Sequence, residues 1–217
     1  TGVEEKVKTD FVISTIPLKD LIQLIKPEPP KEVIEAVNNL KYRALVILYL
    51  IINKPRALNA NWIFFPERDF VFNRVAEQKS FSEFTCPKDK TVLTAEISCS
   101  FNDHKWKASD YIIFEMAIID LERAGIIKRS DVLNYFTRKA DNIYPIYSID
   151  YKKNLNIVLN YIDNISNLVT IGRQGLFNYN NTDHCIDMAN KAVDYIINNK
   201  SIEDGKKTIE YFNSYQI

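Results

Sequence analysis

Two glycines three residues apart, an arginine between them and a polar cluster ending in aspartate and histidine form the one stretch whose residue types and spacing point to chemistry. It reads Asn167-Leu168-Val169-Thr170-Ile171-Gly172-Arg173-Gln174-Gly175-Leu176-Phe177-Asn178-Tyr179-Asn180-Asn181-Thr182-Asp183-His184. Its apolar, β-branched opening predicts a buried strand, broken at Gly172 and Gly175 in a chain that holds only five glycines. Asn180, Asn181, Thr182 and Asp183 offer caps for a helix over 185–197, with Ile186, Ala189, Val193 and Ile197 as its apolar positions. Strand, glycine turn and helix N-terminus together make an anion-binding geometry, since free backbone N–H groups and the positive helix end converge there.

Within that stretch each polar residue has two readings. Asp183 either caps the helix or meets a ligand's hydroxyls. Arg173 either meets a phosphate or ring edge with its planar fork, or pairs with a nearby carboxylate. Elsewhere, Arg74 lies in a strand-like run with Phe70, Phe72 and Ala76 on its face by period-two alternation. A buried arginine needs a partner or a ligand, and Glu96 in another strand is the candidate partner; an anionic substrate is the alternative. Trp62, Phe64, Tyr144 and Tyr147 either line an apolar substrate cavity or fill the core. His104 and His184 are the only two histidines, without ligand spacing, so no metal site is expected. No Ser-His-Asp set, P-loop or paired carboxylates emerge, and no catalytic residue is assigned.

The elements that must position these groups follow from periodicity. Asp10 to Thr15 reads as a strand; Leu18, Leu21, Ile22 and Ile25 then recur at helical spacing until Pro27, Pro29 and Pro30. Lys31 to Leu40 predicts a helix, and Tyr42 to Asn53 a long strand buried on both faces. Strands are expected over Trp62 to Phe65, Phe70 to Gln78 and Thr91 to Ser100, antiparallel because their connections are too short for parallel crossovers. From Ser109 a helix is expected with Ile112, Ile113, Met116, Ile119 and Leu121 facing the core, ending at Gly125. A second helix is expected after Ser130-Asp131, broken at Tyr144-Pro145-Ile146-Tyr147. A helix over Tyr151 to Ile162 and a polar amphipathic helix or tail over Ser201 to Tyr215 complete the reading.

With 217 residues, 46% hydrophobic, and 28 basic against 28 acidic side chains, the chain suits a packed globular protein. Its charge balance gives no field favouring nucleic acid or an anionic membrane. Three cysteines, Cys86, Cys99 and Cys185, without a CxxC, point to a reducing compartment, and a cytoplasmic location is expected. Cys185 is expected to be a small buried residue. The most apolar run, Ala44 to Ile52, is too short to span a bilayer and reads as a core strand. Thr1-Gly2 runs almost directly into a strand, as in a chain cut from something longer.

Set side by side, these segments resemble the flavin-dependent amine oxidase and protoporphyrinogen oxidase superfamily, including relatives near UDP-galactopyranose mutase. Asp10-Phe11-Val12-Ile13-Ser14-Thr15-Ile16-Pro17-Leu18 resembles the strand that re-enters the FAD domain. Phe72-Asn73-Arg74-Val75, with Phe81-Ser82, Pro87 and Thr94-Ala95-Glu96-Ile97, resembles the pattern of the substrate domain. Ala140 to Tyr147 with Tyr151 resembles its "A-Y-P-x-Y … Y" signature, and Gly172 to His184 the terminal flavin motif. After Asp183 the family has a small glycine-alanine helix, whereas this chain has the bulkier Ala189-Asn190-Lys191.

The resemblance implies an α+β fold: an antiparallel or mixed sheet flanked by helices as substrate domain, plus the last strands and helix of a Rossmann-like FAD domain. The domains implied are 1–17 as the re-entrant strand, 18–163 as substrate-binding domain and 164–217 as flavin-contacting strand-turn-helix and tail. FAD is the implied cofactor, with Gly172, Arg173, Gly175, Tyr179, Asn181, Asp183 and His184 as its contacts. Arg74, Glu96 and Tyr147 are the implied substrate contacts. The family's opening G-x-G-x-x-G is not found in these residues, so a C-terminal part of a flavoenzyme is implied, binding FAD poorly by itself and partnered by the missing N-terminal part. The implied reaction is hydride transfer from an organic substrate, such as a tetrapyrrole, isoprenoid or amine, to flavin. The alternative is a sugar-nucleotide mutase, an isomerase with Arg74 and Arg173 toward a diphosphate; a module that has lost its flavin is a third possibility. Residues 10–15 and 168–172 should then pair as a sheet remnant with an open edge, a site for dimerisation.

Overall fold

The computed structural model describes residues 5–198; the helix or tail expected over Ser201 to Tyr215 lies outside them. Along the chain run β1 (Val12–Ser14), α1 (Leu18–Leu24), α2 (Lys31–Asn39), β2 (Lys41–Ile52), β3 (Trp62–Phe64), β4 (Arg74–Glu77) and β5 (Thr91–Cys99). They are followed by α3 (His104–Lys107), α4 (Asp110–Arg123), β6 (Val132–Ile146), α5 (Tyr151–Asp163), β7 (Leu168–Thr170), α6 (Gly172–Gly175) and α7 (Thr182–Ile197). The described chain divides into two compact units, 5–41 with 144–198, and 42–143. These boundaries differ from the expected breaks after 17 and 163, because α1, α2 and α5 group with β1, β7 and α7.

The unit formed by 42–143 is built on a five-stranded sheet in the order β3-β4-β5-β2-β6. The β3–β4 and β4–β5 pairs are antiparallel, as their short connections favour, and β5 is also antiparallel to β2. Val46, Leu48, Leu50 and Ile52 of β2 lie on one core with Leu93, Ala95 and Ile97 of β5 and Ile113, Ala117, Ile118 and Leu121 of α4. The α4 stripe is therefore rotated from the expected one: Ile112 and Ile119 are exposed, and Phe114, Ala117 and Ile118 are buried instead. α4 starts at Ser109, whose hydroxyl accepts from the Ile112 N–H at 3.4 Å.

Two further expectations fail in this unit. The strand expected over 70–78 forms only at Arg74–Glu77. Phe70 and Phe72 pack with Phe65 at 4.9 to 5.6 Å between ring centres, and the Val71 N–H donates to Asp120, which draws this segment out of the sheet. Phe72 consequently joins the core with Val75, and Arg74 does not share its face. The helix expected after Ser130-Asp131 is a strand, β6, preceded by one 3₁₀ turn over Arg129–Asp131. Pairing along the edge of β2 satisfies its backbone, and its Val, Tyr, Phe, Thr and Ile residues suit a pleated surface better than a helix.

Buried polar groups tie the loops of this unit down. Glu77 is fully buried and accepts from Ala57 N, Leu58 N and the Thr91 hydroxyl at 2.6 to 3.0 Å. Lys79 Nζ donates to the carbonyls of Pro87, Lys88 and Lys90 at 2.8 to 3.0 Å, closing the loop before β5.

Acid should loosen this unit. Asp110 accepts from the hydroxyl and N–H of Thr137, and that hydroxyl bond above all holds its carboxyl below the ordinary aspartate value of 3.8. Asp131 is lowered likewise, chiefly by the Lys54 ammonium 2.6 Å away. A carboxylate with a depressed folded pKa contributes stability above its unfolded pKa and loses it as pH falls through the folded one. Denaturant midpoints are therefore expected to be flat down to about pH 5 and to fall below about pH 4, with a shallower fall in Asp110→Asn. An equally steep fall in that variant would remove Asp110 from the account.

In the other unit, β1 and β7 form a two-stranded parallel sheet with Val12 opposite Leu168 and Ser14 opposite Thr170. Helices α2 and α5 pack on each other, with Val33, Val37, Val158, Leu159 and Ile162 buried. α7 buries Met188, Ala192 and Tyr195, and Tyr195 meets the Phe11 ring edge-on at 6.5 Å. The stripe expected on α7 thus faces the other way: Ile186, Ala189, Val193 and Ile197 are all exposed.

Candidate functional site

The sequence's strand, glycine turn and helix are present as β7, α6 and α7, with one correction. Gly172 to Gly175 is a single helical turn rather than an open loop. Gly172 has φ +82°, the left-handed region that glycine enters at least cost, and this reverses the chain between β7 and α6. Gly175 is needed for a different reason. A Cβ there would stand 2.7 Å from Thr170 Oγ1 and 3.2 Å from the Ser14 carbonyl oxygen, so α6 can lie against the β1–β7 pair only without a side chain.

Arg173 leaves α6 with its guanidinium over two tyrosines, 5.0 Å from the Tyr144 ring centre and 5.1 Å from that of Tyr179. The two rings lie 19° from parallel. Arg173 Nη1 donates to the Asn180 carbonyl at 3.1 Å, which fixes the plane of the fork. Within the chain the anchor of Arg173 is thus a backbone carbonyl and two aromatic faces rather than the carboxylate that one sequence reading expected.

Tyr147 Oη donates to Asn178 Oδ1 at 2.9 Å and accepts from the Tyr179 N–H at 3.2 Å. Burial pushes the Tyr147 phenol above its ordinary value. Tyr147 stacks on Tyr151 at 4.4 Å, and Tyr179 Oη donates to the Pro145 carbonyl. Phe177 is buried beside Tyr147 with φ +51°, a conformation rare for a bulky residue.

At the start of α7 the Asn181 N–H donates to His184 Nδ1 at 3.2 Å, so His184 serves in the helix cap. Asp183 stands in the first turn of α7 and Asn181 is its cap residue. Arg173, Asn180, Asn181, Thr182, Asp183 and Cys185 line an open depression of about 770 Å³. Cys185 is half-buried rather than core. Asn180 is buried, its amide donates to Met188 Sδ at 3.6 Å, and its Oδ1 has no hydrogen-bond partner among the described residues.

Arg74 and Glu96 face each other across β4 and β5 and form the expected ion pair. Glu96 is buried, and its second oxygen, Oε2, has no partner among the described residues. Trp62 and Phe64, candidates for cavity or core, are exposed on β3. Among the described residues no three His, Cys, Asp or Glu side chains converge as metal ligands, and no helix is long and apolar enough to cross a membrane.

Sequence reasoning missed Asn180, Asn178 and Phe177 as parts of this site. The Asn180-Asn181 pair is legible as caps, but which asparagine turns inward depends on Met188, eight residues beyond Asn180.

No protein-family model matches the chain, and no curated protein matches it in sequence. Solved structures do. The reduced form of UDP-galactopyranose mutase superposes over 97% of this chain and 46% of its own, with a TM-score of 0.79 at 19% identity. A candidate protoporphyrinogen oxidase from Exiguobacterium sp. matches over 76% of this chain and 36% of its own, with a TM-score of 0.58 at 17% identity. An oxidoreductase from Methanosarcina mazei matches over 78% and 38%, with a TM-score of 0.51 at 19% identity. At these identities the likeness is one of fold, and the fold is one that the superfamily named by the sequence motifs also adopts. The chain spans about half the length of the mutase it matches.

Proposed function

We propose that this chain is one part of a flavin-dependent oxidoreductase, with β1, β7, α6 and α7 as its share of a Rossmann-like FAD domain. The observation that carries the reading is the depression at the start of α7. It brings together donors, namely the Arg173 fork and the first-turn N–H groups that no helix bonds internally, with one buried acceptor lacking a partner, Asn180 Oδ1. A ring edge that alternates carbonyl and N–H, as the pyrimidine edge of a flavin does, matches that set. Gly172, Arg173, Gly175, Tyr179, Asn181, Asp183 and His184 would hold the cofactor, with Gly175 and His184 acting through packing and capping.

When bound, the flavin supplies the hydride acceptor. The positive end of α7 and Arg173 would favour negative charge on a flavin held there. Tyr179 and Tyr144 hold the Arg173 plane. Tyr147 keeps its proton through neutral pH, partial desolvation raising its phenol above the ordinary value, and its exposed ring is placed for substrate contact. Glu96 Oε2 would accept from a substrate hydroxyl or ammonium, with Arg74 fixing the carboxylate.

Arg173→Lys keeps the charge but loses the flat fork that lies on two rings. Flavin retention by the protein with its full FAD site is expected to weaken at least about tenfold, roughly 1.4 kcal/mol. Flavin absorbance after gel filtration measures it; retention equal to the parent protein would count against the site. The fold likeness to the mutase does not favour the mutase reading over this one. Turnover without consumption of an electron acceptor would favour it over the oxidoreductase.

A further inference from the structure

The five-stranded sheet of residues 42–143 has a second apolar face. Val46, Leu48, Leu50 and Ile52 of β2 lie in the core, so by period-two alternation Ile47, Tyr49 and Ile51 stand on the side away from α4. The register sets Glu96 opposite both Ile47 and Arg74, and Arg74 in turn opposite Phe64. One ion pair therefore sits in the middle of an apolar and aromatic surface, with the Arg74 guanidinium 5.7 Å from the Phe64 ring centre. Phe64 and Trp62 on the flanking strand β3 are exposed. An apolar surface with few polar groups is the usual lining of a small-molecule site, and those few groups decide what it accepts.

Glu96 Oε2 is buried without a partner among the described residues. The hydroxyls two residues to either side along β5 are engaged elsewhere: Ser98 Oγ donates to Asn73 Oδ1 at 3.0 Å, and Thr94 Oγ1 to the Ala76 carbonyl at 3.4 Å. A buried carboxylate oxygen in this position calls for a donor. The charge of that donor matters, because Oε1 of the same carboxylate is taken by Arg74 and the pair as a whole is neutral. An ammonium entering here gives up its hydration and meets the guanidinium as well as the carboxylate; a phosphate gives up more and meets the carboxylate. A neutral hydroxyl makes one good hydrogen bond without either cost.

We propose that this face selects a neutral, largely apolar alcohol, whose hydroxyl donates to Glu96 Oε2 and whose hydrocarbon body lies on Phe64 and Ile47. The inference rests on the flavin-enzyme reading, within which it names the substrate class: of the hydroxyl and the ammonium that Glu96 could accept from, the neutralised pair takes the hydroxyl. It also turns away a diphosphate, since Arg74 has no charge left to offer one.

The test uses the whole polypeptide and three probes that share one body: phenylbutanol, phenylbutylamine and phenylbutyl phosphate, titrated by saturation-transfer NMR. The alcohol is expected to bind at least about tenfold tighter than either charged probe. Glu96→Gln uncovers the guanidinium and should move the preference to the phosphate; Arg74→Gln uncovers the carboxylate and should move it to the amine. Circular dichroism reports whether each variant keeps its fold. Arg74→Met with Glu96→Leu, an apolar replacement of the kind that ion pairs tolerate well, should bind the shared body with no advantage for the alcohol. An amine or phosphate bound by the parent as tightly as the alcohol, an order that every folded variant preserves, or no binding of any probe would overturn the proposal. The expected order in a parent protein that holds no flavin would overturn the flavin reading alone.

Discussion

Glu77→Ala is expected to destabilise the unit formed by residues 42–143 by about 3 to 5 kcal/mol, enough to consume much of the stability of a typical domain. Both carboxylate oxygens are engaged: Oε1 accepts from Ala57 N and Thr91 Oγ1, and Oε2 from Leu58 N and, more distantly, Ser80 Oγ at 3.4 Å. The loop after β2 is thereby fastened to β4 and β5 through one side chain with no exposed surface. Truncation leaves two backbone N–H groups and a buried hydroxyl without acceptors, and the cost of orphaned donors exceeds the net worth of the bonds lost. Glu77→Gln separates this from a volume effect. Its amide fills the same space but turns one acceptor into a donor that faces donors, so it should recover little. Chemical denaturation followed by tryptophan emission measures both variants; a loss below about 1 kcal/mol for alanine would show that the loop is held elsewhere.

What could be read from sequence, and what could not, divides along physical lines. β2, β5 and β7 were legible because long or bounded β-branched runs have one way to bury themselves. The antiparallel sheet was legible because short connections exclude crossovers. β6 was misread as helix because Val132 to Ile146 alternates only loosely, and what makes it a strand is the free edge of β2, which no local window contains. The stripes of α4 and α7 were misplaced for a related reason. Each helix has apolar residues on more than one face, so periodicity defines the helix without choosing the buried side. At the candidate site, the residue types between Gly172 and His184 were legible, but their partners were not. That Arg173 lies on Tyr144 and that Asn180 turns toward Met188 are tertiary facts, set by chain segments about thirty and eight residues away.

Gly175→Ala should be the more damaging of the two glycine substitutions in the motif, at about 2 to 4 kcal/mol, and its damage should depend on Thr170. The added Cβ would fall 2.7 Å from Thr170 Oγ1, and that hydroxyl donates to the Gly175 carbonyl at 2.7 Å. Thr170 is fully buried and cannot swing into solvent, so either α6 lifts from β7 or the hydroxyl turns away and orphans the carbonyl. The Ser14 carbonyl at 3.2 Å closes the remaining side, so the strain passes into the β1–β7 pairing. Gly172→Ala is a contrasting case: a Cβ there meets nothing within 4 Å, and the cost is that of a left-handed φ, about 1 kcal/mol. A double-mutant cycle with Thr170→Ala distinguishes the two. Coupling of more than about 1 kcal/mol is expected between positions 170 and 175, and less than about 0.5 between 170 and 172. Additive losses at 170 and 175 would mean that Gly175 is not in packing contact with the strand. Its place in the motif would then have to come from the ligand side, through close approach of the α6 backbone to the proposed cofactor.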